Sequence, residues 1–206
     1  MRWSAALAAL ALFPALPAHA QAAARPAAPP PVIAGGCGDI SYSVVLSPDG
    51  NTLSVLFDNF AVTGGTGVGV ASTACDLQIP LPLPEGFSMG VYKVDYRGFA
   101  RLQSGQTAEL KVDYGFGASG WFKSMRRALT GPVEDDYIFS ETIGGGLMAR
   151  AGCGPKAILN LRAALAIRAT PTPAETTISL GSLDGAPVGG VTFHLDRKKC
   201  ATLRRR

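Results

Sequence analysis

The sequence predicts an all-β protein: a single antiparallel β-sandwich stapled by two disulfides, set behind a signal peptide and a Pro/Ala-rich linker. Three observations point there. Apolar residues alternate at strand period over most of residues 40–195. Clusters of Gly and Pro punctuate the alternation at the spacing of short strands. Four cysteines, Cys37, Cys75, Cys153 and Cys200, sit in a chain that carries an export signal.

That signal is at residues 1–20. Arg2 supplies the positive start, residues 5–13 form a short apolar run, and Ala18-His19-Ala20 is a cleavage site that would leave Gln21 as the new N-terminus. The run is shorter than the roughly 20 apolar residues that span a bilayer. Pro14 and Pro17 would break a buried helix. No later run is as long, so no transmembrane segment is expected in the mature chain, and its destination is periplasmic or secreted. Residues 21–35 are rich in Pro and Ala and predict an extended linker. Residues 36–200 are long enough for one β-sandwich domain with a sizeable core.

The formal net charge of +4 is concentrated at one end. Arg197, Lys198, Lys199, Arg204, Arg205 and Arg206 fall in the last ten residues, and the body without them and without Arg2 is about −3. Residues 201–206 therefore form a basic C-terminal tail. It could touch anionic surfaces by charge alone, but no aromatics interleave with the arginines for base stacking, and no nucleic acid is expected as a partner.

Along the domain, residues 40–46 and 53–57 flank Ser47-Pro48-Asp49-Gly50-Asn51, a hairpin turn. Cys75, Leu77, Ile79 and Leu81 alternate with polar residues and Pro80. Residues 87–102 shift phase, which predicts a bulge near Val91-Tyr92. Residues 108–116 alternate most cleanly, and residues 121–129, 137–143, 178–183 and 191–195 complete the set. Residues 158–168 are ambiguous: their alanines favour helix, but Leu159, Leu161, Ala163, Leu165 and Ile167 share a face only at period two, which favours strand. The cysteines admit three pairings. The favoured one is Cys37–Cys75 with Cys153–Cys200, closing separate loops near the two ends of the domain, each contributing about 4 kcal/mol in the loop-entropy account.

Leu46-Ser47-Pro48-Asp49, residues 53–60 (LSVLFDNF), Cys75-Asp76-Leu77, residues 94–100 (VDYRGFA), residues 131–139 (GPVEDDYIF), Cys153-Gly154 and Cys200 follow one another along the domain. As an ordered set they resemble the exported proteins of bacteria and fungi grouped as domain of unknown function 4360. Phe99 stands where Tyr is more usual, and the arginine tail lies outside the pattern. The resemblance implies export, one domain and the cysteine framework. It implies no mechanism.

The candidate functional residues fall in three groups. His194 is the one histidine after the cleavage site, and any Ser-His-Asp or Cys-His set would have to use it. No G-x-S-x-G elbow is present, and paired cysteines leave no thiol nucleophile. His194 therefore reads as a satisfied strand histidine. Glu134, Asp135 and Asp136, with Glu141 beyond, form an acidic loop after Gly131-Pro132; it could be a solvated turn, hold calcium through several oxygens, or act as paired carboxylates in hydrolysis. Asp95 and Arg97 share one strand face and are expected to pair. With Phe99, Trp121 and Tyr92 as stacking aromatics they could line a recognition surface. The glycines of residues 64–70 lack the Lys-Ser/Thr of a phosphate loop and read as a turn, as do Gly144-Gly145-Gly146.

The leading functional expectation is a non-catalytic binding or structural module at the cell envelope or outside the cell, with polysaccharide as a candidate ligand. The alternative is an exported hydrolase, calcium-assisted, that uses Asp135 and Asp136. A surface-coat or stress protein with no small ligand is the third reading.

Overall fold

The computed structural model describes residues 33–65, 69–117, 123–144, 150–154, 156–168, 175–181 and 189–201. The described residues contain twelve strands and no helix. They are β1 (Ile33–Gly36), β2 (Tyr42–Leu46), β3 (Thr52–Phe57), β4 (Ala61–Gly64), β5 (Val70–Pro82), β6 (Phe87–Leu102), β7 (Thr107–Phe116), β8 (Lys123–Thr130), β9 (Val133–Thr142), β10 (Lys156–Arg168), β11 (Thr176–Leu180) and β12 (Gly190–Lys199). Two antiparallel sheets form the sandwich. One has the order β1-β5-β10-β7-β8; the other has the order β2-β3-β12-β6-β11-β4, with β9 added on β6.

The alternation in the sequence becomes the two faces of each sheet. Leu53, Val55 and Phe57 of β3 point inward, as do Cys75, Leu77, Ile79 and Leu81 of β5 and Ala108, Leu110, Val112 and Tyr114 of β7. Tyr114 meets Phe193 of β12 edge-on across the core, ring centroids 5.4 Å apart. The ambiguous segment is the middle strand of the five-stranded sheet. It pairs over its length with β5 and from Leu159 onward with β7, and Leu159, Leu161, Ala163, Leu165 and Ile167 are buried. Ladders on both sides override the weak helix preference of its alanines.

The turn after β2 closes as expected. Gly50 takes a positive φ of 68°, its N–H donates to the Ser47 carbonyl at 2.8 Å, and Asp49 Oδ1 accepts from Ser47 Oγ (2.5 Å) and Asn51 N (3.0 Å). The Arg197 guanidinium lies over this turn and donates to the Asp49 carbonyl and to Asn51 Oδ1. The expected bulge is at Tyr92: His194 pairs with Lys93 and Leu195 with Val91, leaving Tyr92 with no opposite residue.

Three boundaries differ from expectation. Strand β1 begins at Ile33, within the stretch assigned to the linker, because Ile33 and Ala34 find backbone partners on β5. The strand expected at 178–183 ends at Leu180, with Gly181 at φ 124° and the residues beyond it outside the described ones. The acidic residues 134–136 belong to a strand, not a loop, because β9 pairs with β6 from Val133 to Thr142 and the turn is confined to Gly131-Pro132. The signal peptide, most of the linker and the arginine tail lie outside the described residues.

Strand β6 has sixteen residues and changes partner along one edge. It pairs with β12 over Phe87–Arg97 and with β11 over Gly98–Arg101, while β9 runs along the other edge. Gly98 sits at the change. A Cβ there would lie 2.0 Å from the Ser179 carbonyl oxygen and 2.4 Å from Tyr137 Oη. The missing side chain lets the Tyr137 hydroxyl cross β6 and donate to that carbonyl at 2.6 Å in a buried hydrogen bond.

Both favoured disulfides are present, Cys37–Cys75 and Cys153–Cys200, across separations of 38 and 47 residues. The first fastens the segment after β1 to the middle of β5; the second fastens the segment after Arg150 to the end of β12. Removing the second with Cys153→Ser and Cys200→Ser should lower the unfolding free energy by about 4 kcal/mol in a denaturant titration; a loss under about 1 kcal/mol would show that closing this loop contributes little. Tyr137→Phe should cost about 1–2 kcal/mol for the lost buried hydrogen bond. Gly98→Ala should cost more, because two backbones and a ring must then move apart.

Candidate functional site

The outer face of the seven-stranded sheet gathers the polar residues. Register sets Lys93 level with His194 on β12 and Thr142 on β9, Asp95 level with Thr192 and Ser140, Arg97 level with Gly190 and Ile138, and Phe99 level with Ser179 and Asp136. Period two sends Lys93, Asp95, Arg97 and Phe99 to this face, while Val94, Tyr96 and Ala100 enter the core.

Asp95 is the hub. Its Oδ1 accepts from Ser140 Oγ at 2.5 Å; its Oδ2 accepts from His194 Nε2 at 2.8 Å and from Lys93 Nζ at 3.0 Å. Burial alone would raise the Asp95 pKa. The hydrogen bonds from Ser140, His194 and Lys93, with the lysine charge, outweigh it and hold the carboxyl at about 2, against an ordinary 3.8. An ionised carboxylate only accepts, so Nε2 is the protonated nitrogen of His194. The Tyr92 ring tilts against the imidazole, centroids 5.8 Å apart, and is 41% exposed on its bulge. Thr192 and Ser54 extend the face with hydroxyls 3.3 Å apart.

This arrangement holds a histidine, an aspartate and a serine without the connectivity of a catalytic triad. Ser140 donates to Asp95 and not to His194, and a carboxylate with a pKa near 2 is a weak base. His194 is the satisfied strand histidine that the sequence suggested. The expected Asp95–Arg97 ion pair is absent: Lys93, two residues to the other side, takes the place, and Arg97 is exposed with no side-chain partner among the described residues. Phe99 is partly buried beneath Arg101, whose Cζ lies 5.8 Å from the ring centroid. Trp121 lies outside the described residues.

The strand geometry of β9 separates the acidic residues. Glu134 and Asp136 turn to the outer face, and Asp135 to the opposite one. Glu134 is committed to Arg101, with Oε1 2.8 Å from Nη2. Among the described residues no three His, Cys, Asp or Glu side chains converge as a metal would need. The calcium expectation for Glu134, Asp135 and Asp136 therefore has no shared centre to rest on here. Glu141, further along β9, turns inward instead. Its Oε2 accepts from the hydroxyls of Tyr96 and Tyr114 at 3.5 Å each, and its Oε1 lies 3.2 Å from Lys123 Nζ of the other sheet. Burial, then the neighbouring Tyr114 phenol and the Glu141 charge, push the Tyr96 hydroxyl well above its usual range; burial and the Glu141 charge do the same to Tyr114.

Sequence reading found Asp95, Arg97, Phe99 and Tyr92 on one strand. It missed Lys93 and Ser140 as partners of Asp95, and Tyr96, Tyr114 and Lys123 as partners of Glu141. The parity of Lys93 with Asp95 was available as a signal. The others depend on strand register between distant segments.

The Asp95 network fixes a pH dependence. A carboxyl whose pKa is lower in the folded than in the unfolded state stabilises the fold above its unfolded pKa and ceases to do so as pH falls through the folded one. Folding stability should thus drop by about 2 kcal/mol between about pH 4 and pH 2 on account of this group. Asp95→Asn should lose a similar amount at neutral pH and flatten that part of the profile. An unaltered profile in denaturant melts of Asp95→Asn would show that the network contributes no net stability.

The domain is similar to known proteins. An uncharacterized secreted protein of Arthroderma benhamiae is 30% identical over 151 residues, 72% of this chain and 62% of that protein, so the chain spans about three-fifths of that relative's length. Among solved structures, TmCBM61 in complex with β-1,4-galactotriose is 11% identical, with 82% of this chain and 87% of that one covered at a TM-score of 0.28. The family 11 carbohydrate-binding module of Clostridium thermocellum, in complex with a β-1,3-1,4-mixed-linked tetrasaccharide, is 9% identical, with 80% and 87% covered and a TM-score of 0.22. The structure of infectious bursal disease virus Gx strain gives 11% identity, 71% and 35% coverage and a TM-score of 0.31. At these TM-scores no ligand or role carries over. A family model matches residues 32–200, and the chain belongs to that family, described as Domain of unknown function (DUF4360).

Proposed function

We propose that the protein is an exported, non-catalytic binding module that holds polysaccharide of the cell envelope or its surroundings on the outer face of the seven-stranded sheet. One observation carries the reading: Tyr92 is lifted on a bulge and half-exposed beside the Lys93–Asp95 ion pair and the His194 imidazole hydrogen-bonded to it. A sugar ring offers an apolar C–H face and a rim of hydroxyls. An exposed aromatic beside ionised groups and a hydroxyl-bearing row complements both. Arg97, free of side-chain partners among the described residues, adds a bidentate donor next to this row.

Export rests on the residues 1–20 signal sequence, on two disulfides of the kind that persist in oxidising compartments, and on the description of the Arthroderma relative as secreted. In this reading the chain comprises a signal peptide (residues 1–20), a linker that runs from residue 21 to the start of β1, the binding domain from Ile33 to Cys200 and a basic tail (201–206). Secretion and a periplasmic destination both fit it. The paired-carboxylate hydrolase loses its support, since glycoside hydrolysis needs two carboxyls facing one bond and Asp135 and Asp136 face opposite sides of β9.

The test is depletion. Oxidised protein mixed with insoluble envelope and extracellular polysaccharides should leave the supernatant with at least one polymer, with no sugar released. Tyr92→Ala should weaken that retention about three- to tenfold, the usual worth of one aromatic contact. Release of sugar would make the protein a hydrolase. Retention by no polymer would remove polysaccharide as the ligand class.

A further inference from the structure

Strands β8 and β9 follow one another in the chain, one in each sheet, and among the described residues they leave one side of the sandwich open. Strand β8 is the outermost strand of the five-stranded sheet, and β9 pairs with β6 alone in the other. The two strands lie on the same side, joined by the Gly131-Pro132 turn and by the Lys123–Glu141 contact. Unpaired backbone edges on a sheet are templates for another strand. Here side chains fold back on both edges to meet them: Arg127 Nη1 donates to the Arg126 carbonyl at 3.0 Å, and the Asp136 N–H donates to Asp135 Oδ1 at 2.8 Å.

The charges of the two edges are opposite. Strand β8 carries Lys123, Arg126 and Arg127 and no acid; β9 carries Glu134, Asp135, Asp136 and Glu141 and no base. Arg127, Asp135 and Asp136 are exposed and have no ion-pair partner among the described residues. We infer that this side is a self-association surface, on which β8 of one copy pairs antiparallel with β9 of a second copy, and β9 with its β8, about a two-fold axis parallel to the strands.

Geometry selects that arrangement. A two-fold axis running from sheet to sheet would set β8 against β8 and β9 against β9, cations against cations and carboxylates against carboxylates, which opposes pairing. An axis parallel to the strands exchanges the sheets. Each five-stranded sheet then continues into the seven-stranded sheet of the other copy, with outer face meeting outer face. Such an axis keeps the level of each residue along the strands. The turn puts residue 130 beside 133, and the Lys123–Glu141 contact puts 123 near 141. To within about two residues this brings Arg126 opposite Asp136 of the second copy and Arg127 opposite its Asp135. Parity agrees, since Arg126 and Asp136 are outer-face residues and Arg127 and Asp135 are not. The register also joins the two edge groups that now lean on side chains, the Arg126 carbonyl and the Asp136 N–H.

Sedimentation of the oxidised protein over a micromolar concentration series tests this. The wild type should form a dimer that dissociates as salt is raised. Arg126→Glu with Arg127→Glu should sediment as a monomer, as should Asp135→Lys with Asp136→Lys. Mixing the two variants should restore a species of dimer mass, because each then meets an edge of opposite charge; this readout also separates lost association from lost folding. A wild type that stays monomeric, a dimer indifferent to the reversals, or variants that stay monomeric when mixed would overturn the inference.

Discussion

Strand β6 has to serve three neighbours, and the seven-stranded sheet depends on how it does so. On one edge it must release β12 and take up β11 within a single peptide step, between Arg97 and Gly98. A sheet interrupted at that point would leave backbone groups unpaired in the interior. The Tyr137 hydroxyl spans the break by donating to the Ser179 carbonyl, and it can reach only because residue 98 has no side chain. The same strand carries Lys93, Asp95, Arg97 and Phe99 outward, and its bulge raises Tyr92. The surface proposed to bind ligand is thus a by-product of the strand that holds the sheet together.

Much of this fold was legible in the sequence because the strands are half-buried, and half-burial writes itself as alternation. The ambiguous stretch from Ile158 to Arg168 shows the limit of local preference. Its alanines suit a helix, but between β5 and β7 a small side chain is what two close sheets can accommodate at Ala163. The acidic stretch shows the converse. Glu134, Asp135 and Asp136 look like a loop because three carboxylates do not suit a paired strand. On an edge strand with one solvated face and one open flank they are tolerated, and the strand expected from Tyr137 onward starts four residues earlier, at Val133.

The site was less legible than the fold, for a physical reason. Asp95 draws Ser140 and His194 from positions 45 and 99 residues away. Which residues face each other across two strands depends on register, and register is settled by turns, a bulge and core packing far from the contact. A sequence read locally offers the nearest opposite charge on the same face, Arg97, and cannot weigh it against Lys93. The contact of Lys123 with Glu141 is of this kind too, since it joins strands of different sheets.

The Lys123, Tyr96, Tyr114 and Glu141 cluster has a mechanical consequence. Two sheets separated by aliphatic side chains resist being pulled apart, but contacts without direction offer little resistance to sliding by a small step. One carboxylate on β9 gripped by a hydroxyl from β6, a hydroxyl from β7 and an ammonium from β8 acts as a detent between the plates. Any shear of one sheet along the other pulls these four groups out of alignment, and their contacts, unlike aliphatic packing, depend on direction. The sandwich therefore has one preferred alignment of its two faces, and a load applied through one sheet reaches the other at that point.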